Sequence, residues 1–315
     1  MSLSEFNVTI LIPTYNNSKL AERALISALK TEAGEIIICD DNSNDDTIEV
    51  LSRYNDSRLF IKTNDVRIGL WENHLRALKL AKSKWIKFLQ QDDIISENGL
   101  KKLCKQVDNK TTIVGTLPVF FDLDSGKRKI PQKSSIPRRW SPEEYMERIL
   151  KVGYELGNPS LTLIRKDAIE FDEKLWRKEI SVDYIMHIIV PTKGDVVIIP
   201  PGAILIGDHN KQESKTVDFS LSVQRMANTL SYLSKYPNTK VRLHAHLVAV
   251  LESFGFLVYA LGQITNYGKL YKGFFTDWLK IVKIINIRET LFSINNIIAL
   301  FRTKYFGYNN NLDLK

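Results

Sequence analysis

Two pairs of adjacent aspartates each follow a short apolar stretch of the chain. Asp40–Asp41 follow residues 35–39, and Asp92–Asp93 follow residues 85–89 and two glutamines. Unpaired like charges at the end of a buried strand are costly, so a turn and a helix cap do not explain Asp40 and Asp41. The first pair could accept hydrogen bonds from a base or ribose, and the second offers the oxygen ligands that Mg²⁺ or Mn²⁺ prefers when bound to a diphosphate. For Asp92–Asp93 the alternative is a polar turn and cap before the next helix.

A third polar segment, Pro13–Asn17, follows the apolar residues 8–12. Proline lacks a backbone N–H and ends strand pairing, so the amides and the tyrosine ring after it would face a ligand. The alternative is an ordinary turn in which Asn17 or Ser18 caps the next helix. On its own the segment fits either description.

Strand and helix patterns alternate through the first 125 residues, and they would carry these three segments. Apolar runs predict strands at 8–13, 35–39, 59–63, 85–89 and 112–121, and helical patterns lie at 18–30, 45–54, 70–82 and 97–107. Such alternation predicts crossover units on a mostly parallel sheet, with ligands at the carboxyl ends of the strands. Further strands are predicted at 161–165 and 195–206, and the chain is helical from Phe219 onward.

Four segments of the sequence resemble, in order and spacing, the inverting glycosyltransferase family 2, whose fold is called GT-A. They are Ile12–Asn17, Glu35–Ser43, Asn64–Asn73 leading into Arg76, and Trp85–Asp93. The resemblance is strong over roughly residues 7–105 and continues weakly through 157–160 and 181–183 to about residue 210. It implies an α/β fold of the GT-A nucleotide-sugar-binding type with a mostly parallel sheet, followed by a C-terminal helical extension.

The resemblance also implies a donor site for a nucleotide sugar at the ends of the first strands. The residues that it assigns to this site are Pro13, Thr14, Tyr15, Asn16, Asp41, Arg67, Gly69, Asn73 and Asp92. The first three would surround the base, and Asp41 would meet a uracil-type ring or the ribose.

A divalent cation, Mn²⁺ or Mg²⁺, is implied in the same way, with Asp92 and Asp93 as its ligands. Many members have an aspartate where this chain has Gln90, which leaves open which of the two carboxylates ligates the metal. His209 lies where some members bring a His or Arg to the diphosphate or the metal. An ordinary loop histidine is the alternative for this residue.

Asp183 resembles the catalytic base of the family, which would deprotonate the acceptor hydroxyl as it attacks the anomeric carbon. The family commonly has a glutamate before this aspartate, where the chain has Val182, and the alternative for Asp183 is the N-cap of its helix. On the acceptor side the resemblance indicates Asn158, Pro159 and Ser160. The alternative there is a plain Asn-Pro turn.

Composition predicts a globular protein and a cellular location. The chain has 315 residues, of which 44% are hydrophobic and 25% charged, enough for one large domain or two small ones. Its two cysteines, Cys39 and Cys104, cannot form a disulfide framework or a tetrahedral zinc site. The sequence shows no secretory signal and no run of about 18 apolar residues. These features predict a cytoplasmic protein, either free or attached to the cytoplasmic face of a membrane.

Residues 269–305 combine positive charge with a helical apolar pattern. Between Lys269 and Lys304 seven Lys or Arg stand against two acidic residues, and Trp278, Ile281 and Ile285 recur at helical spacing. A basic amphipathic helix of this kind can make peripheral contact with a membrane, whereas packing on protein is the alternative. The charge is not interleaved with stacking aromatics around a groove, so no nucleic-acid partner is predicted.

From these features we expect transfer of a sugar from a UDP-sugar donor to a hydroxyl of a glycan or lipid-linked acceptor, with inversion, in cell-surface polysaccharide or glycan assembly. The predicted domains are a catalytic domain at 1–215, with a nucleotide-binding half at 1–120 and an acceptor half at 121–215, and a helical region at 216–315. The alternatives are a GT-A protein that binds a nucleotide without turnover, and a nucleotidyltransferase. The latter would need a Gly-rich first loop, which Thr14–Asn17 is not.

Overall fold

The computed structural model describes residues 7–123, 125–131, 135–152, 156–177, 180–209, 219–267, 278–279 and 281–285. It confirms the predicted α/β fold with a large, mostly parallel sheet and a helical C-terminal part. The strands are β1 (Val8–Thr14), β2 (Glu35–Asp40), β3 (Leu59–Thr63), β4 (Trp85–Phe88), β5 (Ile94–Ile95), β6 (Thr111–Thr116), β7 (Val119–Asp122), β8 (Arg128–Lys129), β9 (Arg138–Trp140), β10 (Thr162–Arg165), β11 (Asp195–Ile199) and β12 (Ile204–Asp208). The α-helices are α1 (Ser18–Leu29), α2 (Thr47–Leu51), α3 (Leu70–Leu80), α4 (Gly99–Cys104), α5 (Pro142–Val152), α6 (Val182–Ile189), α7 (Phe219–Leu233) and α8 (Thr239–Tyr267).

The larger sheet has eight strands in the order β3-β2-β1-β4-β10-β6-β11-β9. The pairs β2–β3, β1–β2, β1–β4 and β6–β11 are parallel, and the remaining three pairs are antiparallel. A smaller sheet has the order β5-β12-β7-β8. Because β1, β2 and β4 run in the same direction, their carboxyl ends meet at one edge of the larger sheet, as the alternating pattern predicts.

The first strands are buried on both faces. Every residue of β1, β2 and β4 is buried, and the apolar side chains on one face of these strands form a cluster with those of α1, β6 and β12. Continuous apolar runs are typical of parallel strands that are covered on both faces. The core therefore places the polar residues that follow these strands at its rim.

Two predicted strands are each divided in two by proline. The prediction of one strand over 112–121 is wrong, since β6 ends at Thr116 and β7 begins at Val119 after Pro118. The prediction of one strand over 195–206 is also wrong, because Pro200 and Pro201 separate β11 from β12. Proline donates no hydrogen bond to a ladder and so interrupts a central strand.

The chain divides into two compact units. The first unit comprises Met1–Pro142, Glu155–Lys178 and Lys193–Thr216, and the second comprises Glu143–Tyr154, Glu179–Thr192 and Val217–Lys315. All the strands named above belong to the first unit, and α6, α7 and α8 belong to the second. The predicted division into a catalytic domain at 1–215 and a helical region at 216–315 stays a prediction.

The second unit contains part of the basic apolar segment 269–305. Ile281 is fully buried, the Trp278 indole N–H donates to the Ser253 carbonyl oxygen at 3.3 Å, and the His246 ring lies 2.5 Å from the Ile284 carbonyl oxygen. These contacts join the segment to α8, as the packing alternative requires. The rest of 269–305 lies outside the described residues. Within the described part of the chain, no helix is long and apolar enough to cross a membrane.

Candidate functional site

Tyr15 follows β1 at the shared strand edge, and two side chains hold it there. The Gln91 amide accepts a hydrogen bond from the Tyr15 backbone N–H at 3.0 Å and donates to the Tyr15 carbonyl oxygen at 3.3 Å. Arg67 lies over the Tyr15 ring, with its guanidinium carbon 3.9 Å from the ring centre. Tyr15 is half-buried and Arg67 is exposed, so the stacked ring and guanidinium present a flat surface to solvent.

The turn after β2 is built around Asp40. The Thr14 hydroxyl, the Ser43 N–H and the Ser43 hydroxyl all donate to its carboxylate, at 3.1, 2.9 and 2.5 Å. The Ser43 hydroxyl oxygen accepts from the Asn16 N–H at 2.7 Å, which joins this turn to the end of β1. Asn16, Asn17 and Asn42 have positive φ, a conformation that asparagine tolerates better than most residues. Asp40 therefore holds the turn, and it is fully buried.

Asp41 organises the next loop along the chain. Its carboxylate accepts hydrogen bonds from the Asn64 side chain at 2.9 Å, the Ile68 N–H at 2.7 Å and the Gly69 N–H at 2.8 Å. Asp41 is 3% exposed, and the loop that it holds carries Arg67. A carboxylate has about four acceptor positions, so three bonds leave room for one more donor.

Gly69 and Asn73 connect this loop to helix α3. Gly69 has φ +99°, which disfavours any other residue before the first turn of the helix. The Asn73 side chain donates to the Cys39 carbonyl oxygen at 2.7 Å and accepts from Asn64 at 3.0 Å. Asn73 is buried, so these bonds give it a supporting position, and its predicted contact with the nucleotide stays a prediction.

Asp93 lies beneath the turn that follows β4. It is 1% exposed, and it accepts hydrogen bonds from the Gly207 N–H at 2.9 Å and the Asn158 side-chain amide at 3.4 Å. Burial, and after it the charge of neighbouring Asp92, raises the pKa of the Asp93 carboxyl to about 7. Its oxygens are thus turned toward protein donors.

Asp92 has the opposite environment, although it is the adjacent residue. Its side chain is 21% exposed, and one carboxylate oxygen lies 3.2 Å from Nε2 of His209. The Arg23 guanidinium donates to the Asp92 carbonyl oxygen at 2.7 Å. A side chain on Gly207 would lie 2.1 Å from that carbonyl oxygen, so only glycine allows this approach. The structure thus brings Asp92 and His209 together, as the sequence prediction for the metal requires.

Gln90, where many family members have aspartate, contacts a buried histidine. His74 is fully buried, and its burial lowers the pKa of the imidazole to about 4, so the ring is neutral. Nδ1 of His74 lies 2.7 Å from the Leu70 carbonyl oxygen, and Nε2 lies 2.9 Å from the Gln90 side-chain nitrogen. Nδ1 must then carry the proton, and Nε2 accepts from Gln90. An ionised aspartate at position 90 could not donate a hydrogen bond to Nε2 of His74. This explains why a glutamine suits the position.

The segment Asn158–Pro159–Ser160 forms a short 3₁₀ turn that leads into β10. The Asn158 side chain caps it by accepting from the Ser160 N–H at 2.7 Å. The Ser160 hydroxyl oxygen accepts from the Gln90 N–H at 2.9 Å. The predicted acceptor-side residues therefore lie against the end of β4, close to Asp93.

Asp183 lies in the second unit, in the first turn of α6. The helix begins at Val182 with Ser181 at the cap position, so the alternative that Asp183 is itself the N-cap is wrong. An acidic residue in the first turn is favoured by the helix dipole whatever else it does. Asp183 is partly exposed, and its predicted role as base stays a prediction.

The residues around Asp92 suit a hard divalent cation that shares its ligands with a substrate. Asp92 offers oxygen and His209 offers nitrogen within 3.2 Å of each other. Over the described ranges, no cluster of three or more His, Cys, Asp or Glu side chains could hold a metal by itself. Mg²⁺ and Mn²⁺ ordinarily take one or two carboxylates plus phosphate and water, so two protein ligands fit a cation that binds with a diphosphate.

Sequence reasoning missed several residues of this edge. Gln91, Ser43 and Gly207 all hold predicted site residues in place, yet none has a chemistry that indicates a ligand. The one available signal is the pair of amides at 90–91, because two glutamines at a strand end need partners for both of their donors and acceptors.

Comparisons with known proteins identify the family. The model of glycosyl transferase family 2 matches residues 9–171, more than half of the chain. The Escherichia coli UDP-Glc:alpha-D-GlcNAc-diphosphoundecaprenol beta-1,3-glucosyltransferase WfgD is 35% identical over 101 residues, which are 31% of this chain and 40% of that protein. The Staphylococcus aureus (strain N315) poly(ribitol-phosphate) beta-N-acetylglucosaminyltransferase TarP is 29% identical over 257 residues, 78% of this chain and 63% of that one.

A solved structure of S. aureus TarS residues 1–349 with UDP-GlcNAc has the same fold. Its TM-score is 0.66 at 15% sequence identity, and the alignment covers 94% of this chain and 90% of that one. The chain spans between two fifths and two thirds of the length of the two curated relatives above. With its family model, its fold and its strand-edge motifs in agreement, the chain belongs to glycosyl transferase family 2.

Proposed function

We propose that the protein transfers a sugar from a UDP-sugar to a hydroxyl group of a glycan or lipid-linked acceptor, with inversion at the anomeric carbon. The observation that carries this proposal is the grouping of two features at the edge where β1 and β4 end. The Tyr15–Arg67 stack offers a flat surface for a base, and the Asp92–His209 pair offers ligands for a cation on a diphosphate. Gln91 joins them, because it follows β4 and binds the backbone of Tyr15.

The donor side of the proposal uses the loop held by Asp41. A pyrimidine base would stack on Tyr15 beside Arg67, and the ring N–H of uracil would use the remaining acceptor position of Asp41. Pro13, Thr14, Asn16 and Gly69 shape the backbone around this position. The relative WfgD is named for UDP-Glc and the TarS structure contains UDP-GlcNAc, which supports a uridine nucleotide.

In this proposal Asp92 is the metal ligand with His209, and Asp93 is the buried support beneath them. Metal ligation by Asp93 stays a prediction, but both of its oxygens already accept hydrogen bonds from protein groups. A bound Mn²⁺ or Mg²⁺ neutralises charge on the leaving diphosphate. Arg23 fixes the backbone of Asp92 and so orients its carboxylate.

Asp183 is proposed as the general base. Inversion needs one carboxylate that takes the proton of the acceptor hydroxyl as the oxygen attacks, and no covalent intermediate. Asp183 lies in the first turn of α6 and is partly exposed. The turn Asn158–Pro159–Ser160 is the proposed acceptor side.

The acceptor class and the biological setting follow the relatives. WfgD is named for a diphosphoundecaprenol-linked sugar and TarP for poly(ribitol phosphate), so a lipid-linked or polymeric glycan acceptor is the fitting proposal. Peripheral membrane contact through residues 269–305 stays a prediction. Ile281 and Trp278 already pack within the second unit, which uses part of the apolar stripe.

A thermal-shift screen tests the proposal. The protein is heated with uridine, guanosine, adenosine and cytidine diphosphates, each with Mn²⁺, with Mg²⁺ or with a chelator. A ligand that binds only the folded state raises the melting temperature, so UDP should do so slightly with the chelator and more with Mn²⁺ or Mg²⁺. If no nucleoside diphosphate raises it under any of these conditions, the proposal is wrong.

A further inference from the structure

Lys87 is a fully buried lysine in the middle of the larger sheet. It lies in β4 beside Ile10 of β1, and the other residues of β4 are aromatic or aliphatic. Taking an ammonium group out of water costs several kcal/mol, and its burial lowers the pKa of the Lys87 side chain to about 7. An apolar residue would fill the same place without that cost, so the fold alone does not call for a lysine here.

The ammonium group of Lys87 binds two backbone carbonyls, one at the end of its own strand and one outside that strand. It donates to the Phe88 carbonyl oxygen at 2.9 Å, which is the end of β4, and to the Ser160 carbonyl oxygen. The Ser160 hydroxyl is held separately by the Gln90 N–H at 2.9 Å. Ser160 is therefore tied to the end of β4 through both its carbonyl and its side chain.

Lys87 also interacts electrostatically with Asp93. The positive charge of Lys87 opposes the rise in the Asp93 pKa that burial causes. The negative charge of Asp93 likewise opposes the fall in the Lys87 pKa. Asp93 in turn accepts from Asn158, at the start of the same turn. Lys87 and Asp93 thus hold the two ends of the segment Asn158–Ser160 by hydrogen bonds.

We propose that Lys87 is a positioning residue, whose ammonium group fixes the turn Asn158–Pro159–Ser160 against the strand end that carries Asp92. Its effect on the turn is independent of the reaction, whereas its effect on transfer rests on the proposed function, in which this turn is the acceptor side. Lys87 is fully buried and its hydrogen bonds go to backbone carbonyls, so it acts on the reaction through the turn that it holds.

The test compares Asp93→Asn with the double variant Lys87→Met/Asp93→Asn. Lys87→Met alone would leave the buried Asp93 without its counter-charge, which is destabilising in itself. Asp93→Asn leaves Lys87 without its counter-charge, but a neutral amine keeps two N–H donors for the same two carbonyl oxygens, and the two variants differ only at position 87. Hydrogen exchange is measured for the peptide that contains Ser160 and Leu161. We expect about tenfold faster exchange of this peptide in the double variant, since opening of the turn then breaks fewer contacts. Equal exchange in the two variants would overturn the proposal.

Kinetics then show whether the turn matters to the reaction. With a UDP-sugar and a lipid-diphosphate-linked GlcNAc acceptor, the double variant should have a kcat about tenfold below that of Asp93→Asn, with the donor KM within about threefold. Faster exchange with an unchanged kcat would also overturn the positioning role. A wild-type protein that neither binds UDP nor transfers sugar would refute the proposed function, while the exchange comparison would still decide whether Lys87 holds the turn.

Lys193 provides a matched control in the same unit. Its ammonium group likewise donates to a backbone carbonyl, that of Ala168, at 3.0 Å. Lys193 precedes β11 and Ala168 follows β10, so both lie at the edge of the sheet opposite the carboxyl ends of β1 and β4. Lys193→Met should leave the exchange of the Ser160 peptide and the kcat at wild-type values. Similar changes in Lys193→Met and in the double variant would mean that any lost lysine loosens the unit, and would overturn the specific role of Lys87.

Discussion

The turns after β2 and β4 begin with the same chemistry and are put to different uses. Each follows a buried strand and contains two adjacent aspartates. After β2 both carboxylates are buried and accept several hydrogen bonds, Asp40 from its own turn and Asp41 from the loop that carries Arg67. After β4 only Asp93 is used in this way, and Asp92 lies partly exposed beside His209.

This difference shows that three of the four carboxylates hold the loops of this edge in place. Only the fourth, that of Asp92, reaches the surface where a ligand would bind. Hydrogen-bond donors favour the charged form of a buried carboxylate and tie its loop in place. A partly exposed carboxylate beside an imidazole can be reached by a cation. Three buried aspartates thus position the surfaces that Tyr15, Arg67, Asp92 and His209 present.

The largest effect should come from a residue in neither turn. If the two turns only bind the donor, the base must lie elsewhere, and Asp183 is the proposed one. Asp183→Asn keeps the size of the side chain, so the melting temperature and UDP affinity should remain near wild type. The kcat should fall by about 10²–10⁴-fold, the usual contribution of a general base. Steady-state kinetics with direct UDP titration measures both, and a normal kcat would show that the base lies elsewhere.

The second-largest effect should come from His209, beside the partly exposed Asp92 of the turn after β4. His209→Ala removes one of the two proposed protein ligands of the cation. The Mn²⁺ concentration needed for half-maximal activity should rise about tenfold, which corresponds to ~1.4 kcal/mol. The measurement is a Mn²⁺ titration of the transfer rate. An unchanged half-maximal concentration would mean that His209 is an ordinary loop residue, and that the two turns differ less than we propose.

A substitution in the turn after β2 should lower the stability of the protein. Asp41→Asn replaces one carboxylate oxygen with an NH₂ group, which cannot accept a hydrogen bond from Ile68 or from Gly69, whichever oxygen is replaced. The free energy of unfolding should fall by about 1.5–3 kcal/mol, the usual value of hydrogen bonds to a charged group. Asp65→Asn, an exposed position in the same loop, is the control and should change it by less than about 0.5 kcal/mol. Equal values for both variants in urea denaturation would contradict the framing role of Asp41.

The smallest effect should come from the exposed stack. Arg67→Ala removes the guanidinium from above the Tyr15 ring while Gln91 still holds the Tyr15 backbone. In our proposal this contact holds the Tyr15 ring ready for the base. A cation–π contact at an exposed site contributes about 0.5–1 kcal/mol, so without it UDP should bind about two- to fivefold more weakly. Calorimetric titration with UDP measures this. A loss of more than about 100-fold would mean that Arg67 contacts the nucleotide through more than this stack.

The sequence predicted which residues meet at the edge of the sheet better than it predicted the role of each residue there. The alternation of apolar runs and helical patterns was enough to predict that the residues after β1, β2 and β4 meet, because parallel strands leave their carboxyl ends together. The different environments of Asp92 and Asp93 were not predictable from the sequence. They depend on Gly207 and Asn158, which are distant along the chain. The breaks at Pro118 and at Pro200–Pro201 were readable from proline chemistry, yet the apolar runs across them suggested single strands.

Whether Asp92 ligates the metal is tested by the UDP dissociation constant, measured by calorimetry with Mn²⁺ and with a chelator. It is determined for the wild type, Asp92→Asn and Asp93→Asn. We expect that Mn²⁺ strengthens binding to the wild type by at least about tenfold, that Asp92→Asn loses this gain, and that Asp93→Asn keeps most of it. Loss of the Mn²⁺ effect in Asp93→Asn and its retention in Asp92→Asn would show instead that Asp93 ligates the metal.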